Sequence, residues 1–140
     1  MTASTFFLDA NIFLRFLTED DRQKAEACRR LVQKAVAGEL TLTTHPLILA
    51  EVVWVLESYY KLTRGEIAAK LELIFNTPNL VVFEASIFAR AVEYYSNSSL
   101  DLADCFAAAL AVEKNSALVS YDRDFTGLEE LLVHEPEELV

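Results

Sequence analysis

The chain has 140 residues, 53% of them hydrophobic, with only three Gly and three Pro, which excludes a disordered or fibrous chain and predicts one domain, 1–140, with a real core. Its net charge of −10 and pI near 4.6 argue against nonspecific nucleic-acid binding, which rests on Lys and Arg neutralising phosphates. No apolar run approaches the roughly 20 residues of a membrane span, and Asp9 interrupts the first apolar stretch too early for a signal peptide, so a soluble cytoplasmic protein is expected.

Thr5-Phe6-Phe7-Leu8 reads as a short buried strand that Asp9 ends. Ile12, Phe13, Phe16 and Leu17 then recur at helical spacing from Ala10 to Leu17. Asp20 is placed to cap a second helix to about Ala37, with Gly38 as its stop. Leu40 to Thr43 alternates and predicts a second strand. Thr44 or His45 caps the next helix, and Pro46 suits its first turn. That helix runs to about Tyr60, and Glu51 is its lone charge in ten apolar residues, which predicts burial on most of its surface.

Thr63 caps a further helix with Ile67, Leu71 and Ile74 on one side. Pro78-Asn79 turns the chain into a third strand, Leu80 to Phe83, and Ser86 to about Tyr95 is helical again. Ser99 to Ala111 then reads as a helix that opens with Asp101 and Asp104 before an almost purely apolar run. Asp104 shares its face with Ala107, Ala108 and Ala111, so it is carried toward a close contact, where a carboxylate needs a partner, a proton or a metal. Ala117 to Ser120 is a fourth strand, followed by Tyr121-Asp122-Arg123-Asp124-Phe125. Leu131 to Val133 is a fifth, before an acidic tail that leaves His134 in solvent. Cys28 and Cys105 lack disulfide or metal spacing and read as reduced core residues.

Strands alternating with helices imply a three-layer α/β/α fold with a five-stranded, mostly parallel sheet. In such a sheet the strands' carboxyl ends and the following helices' N-termini share one edge, where ligands bind. Asp9, Glu51, Asp101, Asp104 and Asp122 come from four segments that all approach that edge. Hard oxygen donors without His or Cys select Mg²⁺ or Mn²⁺, and the natural reaction of such a site is phosphodiester hydrolysis.

Taken singly, each acid has a plainer reading. Asp9 is a helix cap, Asp101 and Asp104 are first-turn acids, and Asp122 is a turn residue. Glu51 resists that reading, because a carboxylate in an apolar helix seldom lacks a task. Trp54 and the Phe-rich segments read as core or dimer surface. Arg15, Lys61, Arg64 and Arg123 are candidate phosphate contacts.

In order and spacing, Leu8-Asp9-Ala10-Asn11, Leu49-Ala50-Glu51, Asp101-Leu102-Ala103-Asp104-Cys105 and Ser120-Tyr121-Asp122-Arg123-Asp124-Phe125 resemble the PIN-domain ribonucleases, in particular VapC-type toxins of toxin–antitoxin pairs. The resemblance implies that Asp9, Glu51, Asp104 and Asp122 form an acidic catalytic and metal site with Asp101 beside it. Asn11 and Ser120 would orient ligands or water, and Asp124 would support them. Ser120 stands where the family more often has Thr and keeps the hydroxyl. The resemblance further implies Mg²⁺ or Mn²⁺ dependence, RNA cleavage, a homodimer, and an antitoxin whose basic side chain enters the acidic site.

Three other readings compete. A phospho-accepting receiver domain also sets acids at strand ends, but it needs a Lys where the segment after strand four offers only Arg123. A two-aspartate phosphatase needs Asp where Asn11 stands. A catalytically silent module whose acidic pocket docks a basic peptide is distinguished by metal binding without nuclease activity.

Overall fold

Strand β1 (Thr5–Phe7), strand β2 (Thr41–Thr44) and strand β3 (Leu80–Val82) form a sheet in the order β1-β2-β3, with both ladders parallel. Phe6 lies opposite Leu42, and Leu42 opposite Leu80. The computed structural model describes residues 4–140. The chain divides into two units, one running to Ala85 and the other from Ser86 to Val140.

In the first unit the central strand takes the burial. Leu42 and Thr44 are fully enclosed, and the Thr44 hydroxyl donates to the Leu8 carbonyl at 3.3 Å, which satisfies a polar group that would otherwise be stranded. Strand β1 is not buried as its composition predicts. It lies at the edge of this three-stranded sheet, and Phe7 is 55% exposed, while Leu8, one residue on, enters the core.

Helix α1 (Ala10–Leu17) packs on α2 (Arg22–Val36) and on α3 (Pro46–Ser58), and α3 packs on α4 (Arg64–Phe75). Asp21, not Asp20, caps α2, accepting from the Lys24 N–H at 3.0 Å. Both aspartates suit that position locally. Asp20 instead accepts the Tyr60 hydroxyl, a partner forty residues away. His45 caps α3 through Nδ1, which accepts from the Leu47 N–H at 3.0 Å, and Pro46 fills the first turn as expected. Thr63 and Glu66 form a reciprocal capping box on α4. Gly38, at φ +80°, makes the left-handed step after α2 that a Cβ would strain.

Helix α3 also departs from expectation. Leu49, Val52, Val53 and Leu56 are buried, but Leu47, Glu51, Trp54 and Ser58 form an exposed stripe, with Trp54 68% exposed. An all-round apolar pattern does not reveal which face meets the sheet. Here a single face suffices.

In the second unit, α5 (Ala85–Ser96) and α6 (Leu102–Glu113) accompany β4 (Leu118–Val119) and β5 (Val133–His134), which pair in parallel with Leu118 opposite Val133. Phe88, Ala91, Tyr95, Cys105, Ala108, Ala109 and Phe125 are among its buried residues. Arg90 bridges Glu130 at 2.8 Å and Glu113 at 3.9 Å. Two 3-10 helices, Arg123–Gly127 and Pro136–Leu139, flank β5.

His134 is thus a strand residue rather than a tail residue, with Nδ1 2.7 Å from Glu138. The five strands therefore exist and all pair in parallel, but among the described residues they ladder as three and two rather than as one five-stranded sheet. Hydropathy marks a strand without saying which neighbour takes its hydrogen bonds, and β4 and β5 are only two residues long. Both cysteines are buried free thiols, as expected. Among the described residues no helix is long and apolar enough to cross a membrane.

Candidate active site

Asp9 follows a strand that is held to its last residue. The Leu8 N–H donates to the Thr43 carbonyl at 2.8 Å, and the Leu8 carbonyl accepts from Thr44. The backbone then turns into α1 with Asp9 in extended geometry, its Oδ1 accepting from the Ile12 N–H at a long 3.4 Å. So loose a cap leaves the exposed carboxylate available for other work. Asn11 is exposed in the first turn of α1, and Glu51 is exposed five residues beyond Pro46. Helices α1 and α3 start from the carboxyl ends of adjacent parallel strands, so Asp9 and Glu51 belong to the same edge of the sheet.

In the second unit the acids interlock. Asp101 caps α6, its Oδ1 accepting from the Asp104 N–H at 2.8 Å. Asp104, third residue of the helix, is half-buried. Burial pushes its carboxyl above the usual aspartate range, followed by the charge of Asp101 and its side-chain hydrogen bond, and then by the charge of Asp122. On the same face Ala108 and Ala111 are buried as expected, whereas Ala107 is exposed.

Asp122 caps the 3-10 helix Arg123–Gly127, its Oδ1 accepting from the Asp124 N–H at 2.9 Å. The Asp122 N–H in turn donates to Ser120 Oγ at 3.0 Å, so Ser120 sets the turn that presents Asp122. Asp124 lies exposed in the first turn of that helix. The Tyr121 hydroxyl donates to Glu137, which ties the Asp122 turn to the C-terminal 3-10 helix. Sequence reasoning missed that tie, although the acids after Pro136 were visible as a run.

Asp101, Asp104 and Asp122 therefore lie within electrostatic reach of one another. Among the described residues, no three His, Cys, Asp or Glu side chains converge closely enough to hold a metal ion. The donor chemistry nevertheless fits a hard divalent cation, because every candidate offers oxygen, and burial together with the neighbouring acids raises the proton affinity of Asp104.

The crystal structure of VapBC2 from Rickettsia felis bound to a DNA fragment from their promoter is similar to this chain at 18% sequence identity, covering 94% of this chain and 98% of that chain, with a TM-score of 0.36. No curated protein matches the chain. The PIN domain family model matches residues 6–131, a span that takes in Asp9, Glu51, Asp101, Asp104 and Asp122. The chain belongs to the PIN domain family.

Proposed function

We propose that this chain is a metal-dependent endoribonuclease that hydrolyses RNA phosphodiester bonds, and that it is the toxin of a type II toxin–antitoxin pair. The observation that carries the reading is the crowding of Asp104 against Asp101 and Asp122, within a chain that matches the PIN domain over residues 6–131. A carboxyl that is half-buried beside two more acids is poorly placed as a mere helix-dipole acid, and a cation would relieve it.

Asp9, Glu51, Asp104 and Asp122 are the residues proposed to hold Mg²⁺ or Mn²⁺, with Asp101 beside them. When bound, the ion supplies positive charge to the phosphoryl oxygens and acidity to water. Asp101 fixes the first turn of α6 and thereby aims Asp104. Ser120 does the same for Asp122 through its hydroxyl. Asn11 offers an amide to orient substrate or water, and Asp124 supports the Asp122 turn through its backbone. The proposed partners are an antitoxin that inserts a basic side chain among the acids and a second copy of the chain.

The test is cleavage of mixed cellular RNA with Mn²⁺ by the wild type and by Asp104→Asn, with folding followed by circular dichroism. Loss of cleavage in a folded variant supports the reading. Equal cleavage refutes it, and Mn²⁺ binding without cleavage of any RNA favours a silent acidic-pocket module instead.

A further inference from the structure

The chain is acidic, yet its cations are unevenly placed. Arg22, Lys24, Arg29, Arg30 and Lys34, five of the twelve Lys and Arg residues, fall within the fifteen residues of α2, where Glu26 is the only acid. At 100° per residue, Arg22, Arg29, Arg30 and Lys34 lie on one side of the helix, interleaved with Gln23, Glu26 and Gln33. The opposite side carries the buried Ala25, Cys28 and Ala35. The strip from Arg22 to Lys34 is about 18 Å long at the helical rise.

Two of its four cations are paired. Arg29, 35% exposed, is engaged by Glu19 at 2.7 Å and Glu26 at 3.4 Å, and the exposed Lys34 lies 3.8 Å from Glu39. Arg22 and Arg30 are exposed and form no ion pair among the described residues. Arg30, Gln33 and Lys34 also line a shallow hollow of about 300 Å³ with Ala37 and Glu39.

No aromatic or large aliphatic side chain stands within the strip itself; Phe16, Val32 and Val36, which share a hollow with Arg29 and Gln33, lie along one edge of it. Guanidinium, ammonium and amide donors along a polar face are what phosphate oxygens take.

We propose that the basic strip of α2 holds backbone phosphates of the RNA substrate away from the bond that is cut. The inference rests on the ribonuclease reading and adds to it the path of the RNA. Helix α2 packs on α1, the helix that Asp9 caps. The Asn79 side chain donates to the Ala35 carbonyl at 2.9 Å, which sets the C-terminal end of α2 beside the start of β3, the sheet edge opposite Asp9. The strip therefore runs down the flank of the unit rather than into the acids, and it contributes to affinity and not to the chemical step.

The experiment uses the full chain and a fluorescein-labelled oligouridine as probe, with anisotropy followed across a salt series. In an Asp104→Asn background, Arg30→Glu with Lys34→Glu is expected to weaken binding several-fold and to flatten the slope of log K against log[salt] by about 0.7 for each phosphate no longer neutralised. The neutral pair Arg30→Gln with Lys34→Gln flattens the slope equally and guards against misfolding. A control pair, Lys70→Glu with Lys114→Glu, leaves it unchanged. In the active chain the strip variants raise KM and spare kcat.

Unchanged affinity and slope overturn the proposal and leave the strip to solvent or to an acidic protein. A fall in kcat at unchanged KM overturns it as well. Should the wild type cleave no RNA while binding still depends on Arg30 and Lys34, the ribonuclease reading fails and the RNA contact stands.

Discussion

Asp101 Oδ1 accepts the Asp104 backbone N–H at 2.8 Å, so one candidate acid caps the helix that carries the other. The pair thus has a structural role and a proposed chemical one, and the two can be separated. Asp101→Asn keeps a capping oxygen and removes the charge, whereas Asp101→Ala removes both. Without metal, Asp101→Asn is expected to lie above the wild type in urea denaturation, because it keeps the cap and relieves the repulsion on Asp104, and Asp101→Ala to lie about 1 kcal/mol below Asp101→Asn, the difference being the cap. Both are expected to need roughly tenfold more Mn²⁺ for RNA cleavage, the scale of a lost supporting ligand. Full activity in Asp101→Asn would confine that carboxylate to capping.

Asp104 also makes stability depend on pH in a definite direction. Its carboxyl is raised in the folded chain by burial, by Asp101 and by Asp122, so the folded state holds the proton more tightly than the unfolded one. The stability this contributes is fully present below the ordinary aspartate value of about 3.9 and is lost as pH rises through the raised folded value. In chelator, Asp104→Asn is expected to melt above the wild type at neutral pH, with the gap closing on acidification. Parallel melting curves at pH 4 and pH 7 would show that Asp104 is not under strain.

Local signals account for most of the element order, because caps and periodicity act within a few residues. His45-Pro46, Thr63 with Glu66, and Gly38 each sit where their own chemistry demands. What was not legible depends on distant partners. Asp20 and Asp21 are equivalent as caps until Tyr60 claims Asp20. The apolar run of α3 hides which side is exposed, and strand pattern alone does not reveal that β4 pairs with β5 while β1, β2 and β3 form their own sheet.

The acids show the same division. Their positions at strand ends and helix starts follow from the residue order, whereas the coupling of Asp104 to Asp122 needs the fold of the second unit. The basic face of α2 was countable in the sequence, but its value depends on which side of the helix is buried.

The exposed stripe on α3 bears on the proposed homodimer. Leu47 is 75% exposed and Trp54 68%, and the two flank Glu51 on one helix face. An exposed Trp buries little in the monomer, so Trp54→Ala is expected to shift stability by no more than about 0.5 kcal/mol. At an interface the same truncation removes a large apolar contact and is expected to weaken self-association at least tenfold. Sedimentation velocity over a concentration series reads this directly. An unchanged distribution would exclude Trp54 from any contact between copies.

Divalent metal should stabilise the chain in proportion to how tightly the acids hold it. A ligand that binds only the folded state adds about 2.7 kcal/mol at one hundred times its dissociation constant, and thermal melting reports that gain as a rise in Tm. Mn²⁺ and Mg²⁺ are therefore expected to raise the Tm of the wild type, with little effect on Asp104→Asn or Asp122→Asn, each of which removes a proposed ligand. Neutralising either acid also relieves the repulsion on Asp104, so both variants should start from a higher metal-free Tm. The two effects run in opposite directions: a stabler protein that metal no longer stabilises. A variant that gained in both respects, or a wild type indifferent to Mn²⁺ at millimolar concentration, would show that these carboxylates do not share a cation.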